Sequence, residues 1–228
     1  MEMNQYLQKY SELEFERERF DIPFRKEFLK KNLGRGRQVL HVGCGAGEIS
    51  RYIADQNNQV SGTEINPEAA FLAAKKGISV KICDPEKGLP FENESFDAVF
   101  AGEILDHIYD TRFLFDEMAR VLRPGGILLV SAPNLNSLAN RLKVLNGEFL
   151  EMNGAFPEDR FGRSIRVFNY EKLQELCGMS GFELKEIRGV PSLTTHSQVA
   201  DIPLGLFGRF FPKLSKLILL KAVKRTHS

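Results

Sequence analysis

The chain has 228 residues, 43% hydrophobic and 27% charged, with 31 basic against 30 acidic side chains, which fits one globular domain with a sizeable core and excludes a fibrous or disordered chain. A formal net charge of +1 provides no global field to attract nucleic acid, so no nucleic-acid partner is expected. Cys44, Cys83 and Cys177 are too scattered for a disulfide framework or metal spacing, and neither a leader pattern at Met1-Glu2-Met3-Asn4-Gln5 nor a spanning apolar run is visible, so a cytoplasmic protein without metal is expected.

In chain order, residues 1–33 place Phe15, Phe20, Phe24 and Phe28 on a helical stripe. They read as a helical cap that Pro23 splits in two, serving as a structural cover or a lid. After Gly34-Arg35-Gly36, a strand is expected over about 38–43, running into Gly43-Cys44-Gly45-Ala46-Gly47 and a helix over about 47–56. Glycines at alternate positions let the backbone turn sharply and let a ligand approach the main chain beside free helical N–H groups.

A second strand follows at about 58–63 and ends at Glu64, and Pro67 opens a helix to about 76. Ile78–Ile82 and Ser95–Ala101 read as strands three and four. A helix over about 111–121 is stopped by Pro124-Gly125-Gly126 before a fifth strand, Ile127–Ala132. Residues 133–168 form a long mixed connection with an amphipathic stretch (Leu138, Leu142, Val144, Leu145), the usual form of a lid. Tyr170–Met179 reads as a helix and Phe182–Val190 as a sixth strand. Residues 191–213 are rich in Pro, Gly and Phe, and Leu217–Val223 reads as a last strand or a continued helix, with strand preferred.

Alternating strands and helices imply a doubly wound α/β sheet, with ligands beyond the carboxyl ends of its strands. Those ends are Gly43, Glu64, Asp84, Gly102 and Pro133, which are therefore expected to be spatial neighbours.

The residues that carry a family likeness are Val39-Leu40-His41-Val42-Gly43-Cys44-Gly45-Ala46-Gly47, Leu89-Pro90-Phe91 with Ser95-Phe96-Asp97-Ala98-Val99, Leu105-Asp106-His107-Ile108, and Arg120-Val121-Leu122-Arg123-Pro124-Gly125-Gly126. In this order and spacing the chain resembles the class I S-adenosylmethionine-dependent methyltransferases of the small-molecule type, strongly over 38–135 and more weakly over 166–190. The resemblance implies a Rossmann-like, mostly parallel seven-stranded sheet whose last strand is antiparallel and lies beside the sixth. It implies one methyltransferase domain over 1–228, with 1–33 as cap and 133–168 and 191–213 as substrate-selecting segments. S-adenosylmethionine would lie over Gly43, Cys44, Gly45 and Gly47, with Glu64 and the adjoining Ile65 at its ribose, Asp84 at the adenine amino group, and Gly102 and Glu103 near the sulfonium.

His41 stands where the family usually has an acid, beside the cofactor turn; a charged imidazole there would repel a sulfonium. His107 is the best-placed titratable group and the tentative general base, with cofactor or substrate lining and a helix start as its other roles. Arg166 and His196 rank behind it. Ser164 occupies a position often held by histidine in relatives, and Arg166 is as well suited to pairing with a carboxylate. The tail over 202–225 mixes apolar residues with Lys213, Lys216, Lys221, Lys224 and Arg225, a composition suited either to a peripheral membrane or lipid contact or to a packed strand.

Methyl transfer to a small-molecule acceptor is the leading expectation. A dinucleotide oxidoreductase would have its third glycine where this chain has Glu48, putting a carboxylate at the pyrophosphate. A non-catalytic relative that binds the cofactor or a partner is the remaining alternative. The acceptor and the oligomeric state are not encoded in any readable motif.

Overall fold

The computed structural model describes residues 22–148, 165–190 and 211–226. Seven strands form one sheet in the order β3-β2-β1-β4-β5-β7-β6. They are β1 Gln38–Val42, β2 Gln59–Glu64, β3 Ser79–Ile82, β4 Phe96–Gly102, β5 Leu122–Pro133, β6 Phe182–Val190 and β7 Leu217–Lys224. The first five pair in parallel, whereas β7 runs antiparallel between β5 and β6. The helices are α1 at 22–33, α2 Glu48–Asp55, α3 Pro67–Lys75, α4 Thr111–Val121, α5 Leu138–Leu145 and α6 Tyr170–Met179.

Strand alternation divides the core between two faces. Leu40, Val42, Val99, Leu128 and Val130 point to the side where α4 and α6 supply Leu114, Phe115, Met118, Leu173 and Cys177. Val39, Phe100 and Leu129 point to the side covered by Phe28, Leu29 and Leu33 of α1 and Ile49 and Ile53 of α2. Each such side chain contributes roughly 1.5–3 kcal/mol when fully buried. Helix starts follow from polar caps: Asn66 accepts from Glu68 N at 2.9 Å and Ala69 N at 3.3 Å, Asp110 from Phe113 N at 2.9 Å, and Asn169 from Lys172 N at 2.9 Å.

One detail differs from the sequence reading. β5 begins at Leu122, which pairs with Phe96, and the ladder then skips to Ile127 opposite Ala98. Arg123 is drawn out of register by Asp97 and by the Glu94 carbonyl, so Pro124-Gly125-Gly126 loop out within the strand. Pro23 sits in the first described turn of α1, and the preceding stretch with Phe15 and Phe20, on which the expected split into two helices depends, lies outside the described residues. Leu217–Lys224 is largely buried between two strands, so this part of the tail is occupied within the sheet; residues 202–210 lie outside the described residues. Among the described residues no helix is long and apolar enough to cross a membrane, and no cluster of His, Cys, Asp and Glu could hold a metal ion.

Candidate active site

β1 passes into the glycine turn, where Gly43, Gly45 and Gly47 have φ of 68°, 52° and 84°. Gly47 packs so tightly on α3 that a Cβ would lie 2.8 Å from that of Ala73. The turn is tied down from three sides. Cys44 N donates to Thr63 O at 2.9 Å, Lys76 Nζ to Ala46 O at 2.9 Å, and Gly45 N to Glu64 Oε2 at 2.8 Å. The other oxygen of Glu64 accepts from Ile65 N and Asn66 N, both at 2.9 Å.

A carboxylate offers about four lone-pair sites, so Glu64 retains about one for a ligand and holds the turn with the rest. Lys76 also pairs with Glu48, keeping that acid on the outer surface. The first turn of α2 has no side-chain cap, which leaves its amide donors to water or a ligand. Cys44 points inward against Gly62, where a Cβ would be 2.6 Å from its sulfur, and burial pushes its thiol up to about 12.

The ends of β2 and β3 adjoin through Glu64↔Ile82 and through Cys83 N donating to Glu64 O at 3.0 Å. Two carboxylates, Glu64 and Asp84, thus rise from neighbouring strands beside exposed Ile65 and Ile82. Acceptors for a diol and an amine next to apolar shoulders fit the chemistry of an adenosine. Asp84 is partly engaged: it caps the turn Pro85–Lys87 through Glu86 N at 3.0 Å and lies 3.6 Å from Lys87 Nζ. Burial raises the Cys83 thiol, so it too is a poor nucleophile.

His41 does not face this edge. It lies on the α1/α2 side, 4% exposed, with Nδ1 2.7 Å from Ser50 Oγ and its ring 4.8 Å from that of Phe100. Burial first, and the Arg25 charge second, push its pKa down to about 3, so the imidazole stays neutral and braces β1 against α2. Any repulsion of a sulfonium from this position is therefore removed.

At the end of β4, Glu103 adopts φ 54°, a conformation that costs a side-chain-bearing residue energy, and donates its N–H to Ser131 O at 3.0 Å. Gly102 precedes it, and Ile104 then folds back over Gly43. His107 is exposed at the end of the turn Leu105–His107, with Nε2 3.7 Å from the buried Asp106 carboxylate. Among the described residues Arg166 meets no carboxylate. Its Nε and Nη2 both donate to Tyr109 O, at 3.0 and 2.7 Å, and the guanidinium stacks on the Tyr109 ring. Ser164 and His196 lie outside the described residues.

Sequence reasoning missed Lys76 and Tyr109, whose partners are 30 and 57 residues away and leave no local signal. Two of the motifs carrying the family likeness lie away from this edge altogether. Arg120 joins them in one knot, donating to Leu89 O, Phe91 O, Asn93 Oδ1 and the Glu117 carboxylate, which in turn accepts from Leu89 N at 2.7 Å. A cavity of about 180 Å³ beside Leu29, Arg35, Tyr52 and Asn58 is likewise at the amino ends of the strands, remote from the carboxylates.

Residues 40–130 match the model of the methyltransferase domain family. The chain is similar to the ubiquinone biosynthesis O-methyltransferase of Xylella fastidiosa, 32% identical over 135 residues that cover 56% of this chain and 55% of that one. It is also similar to a probable S-adenosylmethionine-dependent methyltransferase of Mycolicibacterium smegmatis, 31% identical over 156 residues covering 68% and 55%. The chain thus spans about half the length of these curated relatives. Among solved structures, an S-adenosylmethionine-dependent methyltransferase from Thermotoga maritima superposes with a TM-score of 0.67 at 22% identity, covering 98% of this chain and 100% of that one.

Proposed function

We propose that the chain is a class I S-adenosylmethionine-dependent methyltransferase and that it methylates a hydroxyl group of a small-molecule acceptor. The observation that carries this reading is the bond from Gly45 N to Glu64, which assembles turn and carboxylate into one cradle. The O-methyltransferase among its relatives supports oxygen as the nucleophile.

S-adenosylmethionine supplies an electrophilic methyl group on a positive sulfur. Glu64 would take the ribose diol, Ile65 would cover the base, and Asp84 would accept from the adenine amino group. Gly102 and Glu103 line the sulfonium side, where a carboxylate offsets the positive charge. The acceptor oxygen is held in line with the sulfur–methyl bond. An O–C bond would form as the S–C bond breaks, and the hydroxyl proton would pass to His107 or to water. Positioning supplies most of the rate in such a displacement. The cap at 1–33 and the segments 133–168 and 191–213 select the acceptor.

Calorimetry with S-adenosylhomocysteine and NAD tests the cradle: the first is expected to bind below millimolar concentration and the second not to bind. Methyl transfer from labelled donor to a panel of phenols, catechols and aliphatic alcohols tests the chemistry. Binding without turnover across that panel favours the non-catalytic reading, for which the missing acid at position 41 is the motive. Absence of binding overturns the proposal.

A further inference from the structure

We propose that Arg166 is a positioning residue that latches segment 165–168 across the mouth of the site and fixes the turn presenting His107. This rests on the methyltransferase reading of the same edge.

The segment bridges two strand ends. Ile165 N and Arg166 N both donate to Asp106 O, at 2.7 and 3.0 Å, behind the end of β4. Leu135 N donates to Phe168 O at 2.8 Å just after β5, Asn134 bridges to Phe168, and Phe168 is buried. Arg166 then reaches past His107 to Tyr109 O with two donors of its fork and stacks on that ring, 4.7 Å from its centroid. One residue therefore grips the carbonyl immediately before His107 with its amide and the carbonyl two places after it with its side chain.

This bracket leaves the imidazole exposed while its backbone is held from both sides. Only a planar guanidinium can place two parallel N–H groups on one oxygen while lying flat on a ring. Lysine retains the charge but loses the fork. The latch also couples this segment to the His107 turn, since displacing 165–168 releases both of its bonds to Asp106.

The chain has four histidines, so imidazole carbon–proton NMR resolves His107 once H107N has assigned its peak. In R166A the His107 signal is expected to move and broaden while the His41 signal stays in place; R166K restores it in part. R112A, which removes a nearby charge paired with Asp116 instead, is expected to leave it unchanged. Thermal melting accompanies each variant, and R166K alone is read if R166A does not fold. S-adenosylhomocysteine affinity is expected to be unchanged in R166K. An unmoved His107 signal, or equal displacement of all the resolved histidine signals, overturns the latch. Failure of the unmodified protein to bind S-adenosylhomocysteine overturns the methyltransferase reading instead, and the two failures are told apart because the His107 signal is also read in the free protein.

Discussion

The two ends of the sheet use the same kinds of residue to opposite effect. At the amino ends, the Arg120 fork and the Glu117 carboxylate are saturated by each other and by Leu89, Phe91 and Asn93, and Asp97 ties β1 to β4 through Gln38 N. Hydrogen bonding from Arg120 lowers the pKa of Glu117, as expected for a carboxylate committed to a fixed partner. At the carboxyl ends, Glu64 and Asp84 hold backbone turns but keep lone pairs in reserve, and the first amides of α2 are uncapped. One end closes its polar groups upon themselves; the other leaves a few of them available. That difference separates a charge committed to the fold from one still able to meet a ligand, although both are conspicuous in the sequence.

The comparison breaks most visibly at Arg120. R120A strips two backbone carbonyls, the Asn93 amide oxygen and one acid of their partner, and is expected to cost about 3 kcal/mol of stability, read as a fall in the urea midpoint, while S-adenosylhomocysteine affinity of the folded fraction is retained. Loss of affinity with stability intact would reverse the roles of the two ends.

E64A is the converse test. Its expected effect is a loss of about 2 kcal/mol in cofactor binding by calorimetry, the worth of charge-assisted hydrogen bonds, with a smaller loss of stability because two of its three backbone donors can turn to water. Unchanged affinity would remove Glu64 from the ribose.

The smallest effect belongs to His41, which sits between the two ends and touches neither. Its folded pKa of about 3 lies below the unfolded value of 6.5, so the unfolded chain binds more protons between these values. The stability contributed by the neutral form is complete above pH 6.5 and is lost as pH falls toward 3, at up to about 1.4 kcal/mol per pH unit. H41N cannot titrate, so its denaturation midpoint is expected to fall less than that of the unmodified chain between pH 6.5 and 5. Parallel curves would mean that His41 is not buried in neutral form.

Much of this architecture was legible in the sequence because strands and helices alternate cleanly and Pro67 marks a helix start. The start of β5 was obscured by Pro124-Gly125-Gly126, which reads as a stop and here is a bulge pulled out by an ion pair. The glycine turn and Glu64 were recognised as neighbours, but the direct bond between them was not, since it depends on which lone pair faces which amide. The orientation of His41 was hidden for another reason. Both faces of a central parallel strand are apolar, so alternation of Val39 and His41 with Leu40 and Val42 does not mark the face that meets α2. Arg166 was noticed, yet its partner is a backbone carbonyl, and carbonyls have no signature in a sequence.

The inward turn of Cys44 has a chemical consequence. A protein that holds an electrophilic methyl donor against its own main chain risks alkylating itself, and sulfur is its most vulnerable element, but only as thiolate. With its proton retained up to about pH 12 and its sulfur lodged against Gly62, the cysteine nearest the turn is exempt. Under the proposed function, the space left by the missing side chain of Gly62 would thus serve as a safeguard against self-poisoning.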